Sequence, residues 1–226
     1  MNTIDILHVI GKENQDIESF SFHTFPTQKL VQERMPKWGV KEQNHFEQAM
    51  KVRDSLRLPF WDAVMFVASD NLDYSTSIMK AALVHNHTKS LIYVKAEEIQ
   101  NNPLLCNNDE RIAVCSSVLM RNNEVRHIPM LDFHIPISDI NLNIVENICN
   151  LLELKSGYIL NSGESYHFIS STIVTWEDLY LTLSKALRFC PILDRTWISH
   201  QLEEKSCSLR VDRKNGVEPM MVRLVR

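Results

Sequence analysis

Residues 157–174 read GYILNSGESYHFISSTIV: two β-rich apolar runs separated by a small, polar break. The first run, 157–161, and the second, 166–174, carry the aromatic and β-branched residues of strands, and Ser162-Gly163 between them is a turn signal. The pair reads as a hairpin. Within it, Ser165 and His167 are two residues apart, so on a strand they point to the same face. Upstream, residues 141–154 place Leu142, Val145, Ile148, Cys149 and Leu152 at helical spacing, and residues 125–135 read as one strand. Downstream, Thr175-Trp-Glu-Asp178 resembles a capping box with Asp in the usual Glu or Gln place. It opens a helix to about residue 189, with Leu179, Leu183, Ala186 and Leu187 inward and Pro191 as its stop. After an irregular stretch, residues 208–213 read as a strand, 214–216 as a turn and 220–226 as the last strand. From residue 128 the order is strand, helix, strand, strand, helix, strand, strand. Its first six elements follow the split βαβ, RRM-like arrangement, which defines an α+β fold and no particular activity.

The first half is less patterned. Residues 4–10 read as a short strand and 41–56 as an amphipathic helix; 61–68 (WDAVMFVA) fits a buried strand or a helix. Residues 75–85 read as a helix and 90–95 as a strand, while 111–119 joins the run from 125 across Arg121-Asn-Asn123 as a hairpin. The expected organisation is an N-terminal α/β layer, 1–110, packed on an RRM-like core, 111–226.

Composition excludes several classes. The chain has 226 residues, 44% of them hydrophobic, which suffices for one sizeable core. No apolar run approaches the length of a membrane span, and residues 1–12 lack the basic start and cleavage site of a signal peptide. Five cysteines without a C-x-x-C pair argue against a zinc ribbon and for reduced thiols in a cytoplasm. Net charge is −4, yet residues 205–226 hold six basic residues against Asp212 and Glu218, a local surplus that attracts phosphate or is simply a solvated hairpin.

Three short stretches carry chemistry. Residues 129–136, PMLDFHIP, set Asp132 and His134 two apart at a strand end, where both can face one metal. Residues 161–168, NSGESYHF, present Ser165 and His167 after the glycine turn. Residues 191–197, PILDRTW, add Asp194, and Arg210 follows in SLRV at 208–211. His85-Asn-His87 and Asp70-Asn-Leu-Asp73 are weaker: a loop after a helix and a helix-capping loop explain them. Trp176 and Trp197 read as core residues. The plain alternative for His167 is a hydrogen-bonded core histidine, and for Asp132 a strand-end cap.

In this order the motifs resemble those of the archaeo-eukaryotic primase-polymerase superfamily over about residues 112–226. Its hallmarks are a hydrophobic-D-x-D/E motif, an S-x-H motif after a small-residue turn, and a later hydrophobic-Asp followed by an Arg-bearing strand. Asp132 matches the leading acid, Ser165 and His167 match S-x-H, and Asp194 best matches the last motif, with Asp212 as runner-up. His134 stands where the family places a second carboxylate.

The resemblance implies a divalent metal (Mg or Mn) held by Asp132, His134 and Asp194. It also implies nucleoside triphosphates bound by Ser165, His167 and Arg210, and nucleotidyl transfer on single-stranded or primed nucleic acid. Because hard Mg²⁺ prefers oxygen and imidazole suits Mn²⁺ better, His134 weakens a Mg²⁺ site. The resemblance therefore leaves open a catalytically degenerate nucleotide- or nucleic-acid-binding protein with protein partners, an accessory subunit of a mobile-element or antiviral-defence system. A nuclease using Asp132, His167 and Asp194 ranks last.

Overall fold

The computed structural model describes residues 1–25, 39–68, 72–83, 91–102, 111–213 and 216–226. The chain divides into two compact units, Met1–Phe25 with Ser90–Arg226, and Pro26–Lys89. This grouping differs from a partition at residue 110. The first helix and strand of the chain belong with the core, because they supply Ile6, Leu7, Ile10, Ile17, Phe20 and Phe22 to the same hydrophobic cluster as Phe133 and Phe168.

The first unit opens with α1 (Thr3–Glu13), where the sequence pattern predicts a strand. The reason is local. Asn2 and Asp5 close a reciprocal capping box, and the buried Thr3, Ile6, Leu7 and Ile10 follow the helical repeat. Strands β1 (Ile17–Phe25), β2 (Ile92–Lys95), β3 (Arg111–Met120) and β4 (Val125–His127) then form an antiparallel sheet in the order β2-β1-β3-β4. The β3–β4 hairpin turns at Asn123, whose φ of 65° is left-handed, a conformation asparagine tolerates.

A single strand over 125–135 does not form. Pro129 lacks the N–H a continuous ladder would need, and the run breaks into β4 and β5 (Met130–Asp132), which belong to different sheets. β5 begins the second sheet, followed by α5 (Asp139–Leu151), β6 (Gly157–Asn161), β7 (Tyr166–Ser170) and α6 (Trp176–Ala186). β7 ends at Ser170, earlier than the pattern predicts, and Val174 instead makes an isolated bridge to His127 of β4. Helix α6 is capped by Thr175, which accepts from the Asp178 amide, and passes into a 3-10 turn at Leu187–Phe189. The supposedly irregular stretch holds another helix, α7 (Arg195–Glu204), capped by Asp194. Its inward residues are only Ile198 and Gln201, too weak an apolar stripe to read.

Two strands close the chain. β8 (Ser208–Arg210), expected as the fourth strand of the split βαβ unit, instead pairs with β3. Short β4 covers β3 only at residues 117–119, and β8 takes the edge left bare at 113–115. The fourth place beside β5 is held by a single bridge, Phe133 to Leu193. The last strand, β9 (Met220–Val225), joins the opposite edge, giving β5-β7-β6-β9. The class is α+β, with the β5-α5-β6-β7-α6 order of an RRM-like core intact and its fourth strand reduced to one bridge.

The second unit contributes α2 (Val40–Leu56), α3 (Phe60–Val67) and α4 (Leu72–Leu83) around buried Ala49, Ala63, Val64 and Ile78. Residues 61–67 are thus helical. His45 is buried there, with Nε2 at 3.2 Å from both the Val64 carbonyl and the Ser75 hydroxyl. No helix among the described residues is long and apolar enough to cross a membrane.

Candidate nucleotide site

Strand register assembles the site. β5 and β7 run antiparallel with Asp132 opposite His167. On the other side of β5, the Asp194 amide donates to the Asp132 carbonyl (3.1 Å) and the His134 amide to the Ile192 carbonyl (2.7 Å). Phe133 and Leu193, which form the bridge between these bonds, are buried. By strand alternation Asp132, His134 and Asp194 take the opposite face. The backbone therefore lines up Asp194, Asp132 and His167 across three neighbouring segments, with exposed His134 one step along.

The side chains have definite partners. His167 is buried, and its Nε2 lies 3.5 Å from Oδ1 of Asp132, an ion pair when the imidazole is protonated. Asp194 accepts from the Trp197 amide at 3.0 Å and so caps α7. The Ser165 hydroxyl donates to the Phe133 carbonyl and accepts from the Ile135 amide (3.2 Å), stitching the start of β7 to the chain beyond β5. Arg210 donates to the carbonyls of Ser162 (2.7 Å), Asp212 and Val217 (3.4 Å). Asp212 is not brought to the row. Its carboxylate accepts from the Ile112 amide of the other sheet at 3.2 Å.

Tyr166 is a residue that sequence reasoning passed over. Its hydroxyl accepts from the Ser138 amide (2.9 Å) and donates to the Ser138 carbonyl (2.8 Å), fixing the loop that leads from His134 into α5. Its place inside S-x-H, on the strand's opposite face, was the available signal. Trp176 and Trp197 pack against the core as expected; the Trp197 indole donates to the Ser208 carbonyl at 2.9 Å. His85, His87 and Asp70 lie outside the described residues, and Asp73 falls in the first turn of α4.

Among the described residues of 205–226, Arg213 and Arg223 have carboxylate partners. Arg223 pairs with Glu146 (2.7 Å) and Asn143, and Arg213 lies 3.9 Å from Glu218. As for a metal, no group of three or more His, Cys, Asp or Glu side chains is gathered among the described residues in a form that could hold one. Two carboxylates and an imidazole, with one carboxylate oxygen already capping a helix, do not fit a two-ion centre built from several carboxylates.

An RRM-like sheet with the S-x-H strand opposite Asp132 is the arrangement that the resemblance to primases implies. Residues 94–222 match the archaeo-eukaryotic primase 1D-like family, and the chain belongs to that family. No curated protein and no solved structure matches it.

Proposed function

We propose that this primase-fold protein binds a nucleoside triphosphate, or the phosphates of single-stranded nucleic acid, beside the Asp194–Asp132–His167 row without transferring nucleotides. One observation carries the reading: the first motif's remaining acid, Asp132, faces the His167 imidazole, and the place of its partner acid is taken by exposed His134. An imidazole in the second acid's place, and an Asp194 carboxylate that already caps α7, leave few oxygen ligands for a pair of hard divalent cations. Such a protein suits the role of a binding subunit within a larger nucleic-acid-handling assembly.

A second reading, metal-dependent nucleotidyl transfer, draws support from the register that makes Asp132, His134 and Asp194 neighbours. Imidazole with carboxylate suits Mn²⁺ better than Mg²⁺. Labelled-nucleotide binding, and incorporation on primed and unprimed single-stranded templates with Mg²⁺ or Mn²⁺, separate the two. Binding without incorporation is expected, with metal-dependent incorporation appearing in His134→Asp. Extension by the natural protein that Asp132→Ala abolishes would establish the second reading. Folded protein that binds neither ligand would refute both.

A further inference from the structure

Arg210 matches the family's Arg-bearing strand, and the resemblance assigns it to phosphate. Its contacts say otherwise. It sits on β8, in the sheet of β3, and reaches the β6–β7 turn of the other sheet, where Nη2 donates to the Ser162 carbonyl at 2.7 Å. Nη1 donates to the carbonyls of Asp212 and Val217. Val217 also lies close to the turn: a Cβ on Gly163 would lie 3.2 Å from Cβ and Cγ1 of Val217. Gly163 also has a φ of 104°, so the turn has the shape only glycine adopts easily at that point.

The turn held in this way leads into the S-x-H strand. Its own bonds run from the Ser162 amide to the Ser165 carbonyl (2.9 Å) and from the Gly163 amide to the Asn161 side chain (2.8 Å). Three residues on, Ser165 grips the chain beyond Asp132 through Phe133 and Ile135. A guanidinium presents its donors in a rigid fork, and three carbonyls of two segments occupy that fork here.

We infer that Arg210 is a positioning residue, a clamp joining Asp212 and Val217 to the Ser162–Gly163 turn and thereby setting the S-x-H strand, and that it does not contact the bound phosphate. The site it positions is the one proposed above, but the clamp itself is testable without any ligand.

Hydrogen exchange in Arg210→Ala is expected to speed up by about tenfold or more at the Ser162 and Gly163 amides, the loss of at least one charged hydrogen bond's worth of protection. The Leu152 amide at the end of α5 should be unchanged. Arg223→Ala, which removes an arginine paired elsewhere, should leave the turn protected. If Arg210→Ala does not fold, Arg210→Lys gives the same comparison with a single donor group in place of the fork. For oligonucleotide binding, Arg210→Gln, which keeps a donor and loses the charge, should lower affinity equally at all salt concentrations. A phosphate contact would instead reduce the salt slope by about 0.7 for single-stranded DNA. An unchanged turn in both Arg210→Ala and Arg210→Lys, or a reduced salt slope in Arg210→Gln, overturns the inference. Absence of any oligonucleotide binding would count against the proposed function and leave the exchange result to decide the clamp.

Discussion

Ser165→Ala separates two roles that one hydroxyl cannot fill at once. The resemblance gives Ser165 to the triphosphate, whereas the structure gives it to the backbone of Phe133 and Ile135. A neutral hydrogen bond contributes about 1 kcal/mol net, and this hydroxyl makes two. Alanine is isosteric apart from the oxygen, so no packing term of note is added. The loss is therefore about 2 kcal/mol, which for a chain of this size lowers Tm by about 4–8 °C. Thermal melts followed by circular dichroism, with urea midpoints at unchanged m-value, measure it. Ser165→Thr, which keeps the hydroxyl, should recover most of the loss. A Ser165→Ala protein that melts with the natural one while losing nucleotide affinity would show that the hydroxyl belongs to the ligand, and the reasoning would fail.

Other outcomes follow from the same structure. Asp194→Ala should cost about 1 kcal/mol through its N-cap on α7, and Asp194→Ser should restore stability; if Asp194 serves a metal instead, both changes abolish Mn²⁺-dependent activity alike. Gly157→Ala should be poorly tolerated, at a cost of at least about 2 kcal/mol, because its Cβ would meet the Phe168 ring at 2.5 Å and the Ile169 carbonyl oxygen at 2.6 Å. A urea midpoint near that of the natural protein would contradict this. Burial pushes His127 below its ordinary value of 6.5, against the opposing pull of Glu177. The unfolded chain then takes up the proton first, so stability should fall as pH drops below about 6.5 and level off once the folded imidazole is also protonated. His127→Gln should flatten that part of the pH–stability curve; an unaltered slope would assign it to other groups.

Much of the second half was legible in the sequence because its elements are locally determined. The glycine turn between 157–161 and 166–170, the Leu142–Leu152 helical repeat and the Thr175 cap each act within a few residues. That S-x-H and the first acid lie near one another follows from the split βαβ order, while the register that sets Asp132 opposite His167 came from the tertiary structure. α1 was open to the same reasoning, since Asn2, Asp5 and the 3-6-7-10 repeat are local signals of a helix. Side-chain periodicity is blind to which sheet a strand joins. Only the tertiary structure placed β8 on the bare edge of β3 and left the fourth position beside β5 to a bridge at Leu193. The Asp194 cap is a local contact with Trp197 that the weak apolar stripe of α7 hid, but the tertiary structure alone made Arg210 a tie between sheets. The β8 pairing and the Arg210 tie depend on partners far along the chain, such as Ser162 for Arg210, and contacts of that range are made by packing, which no short stretch of sequence specifies.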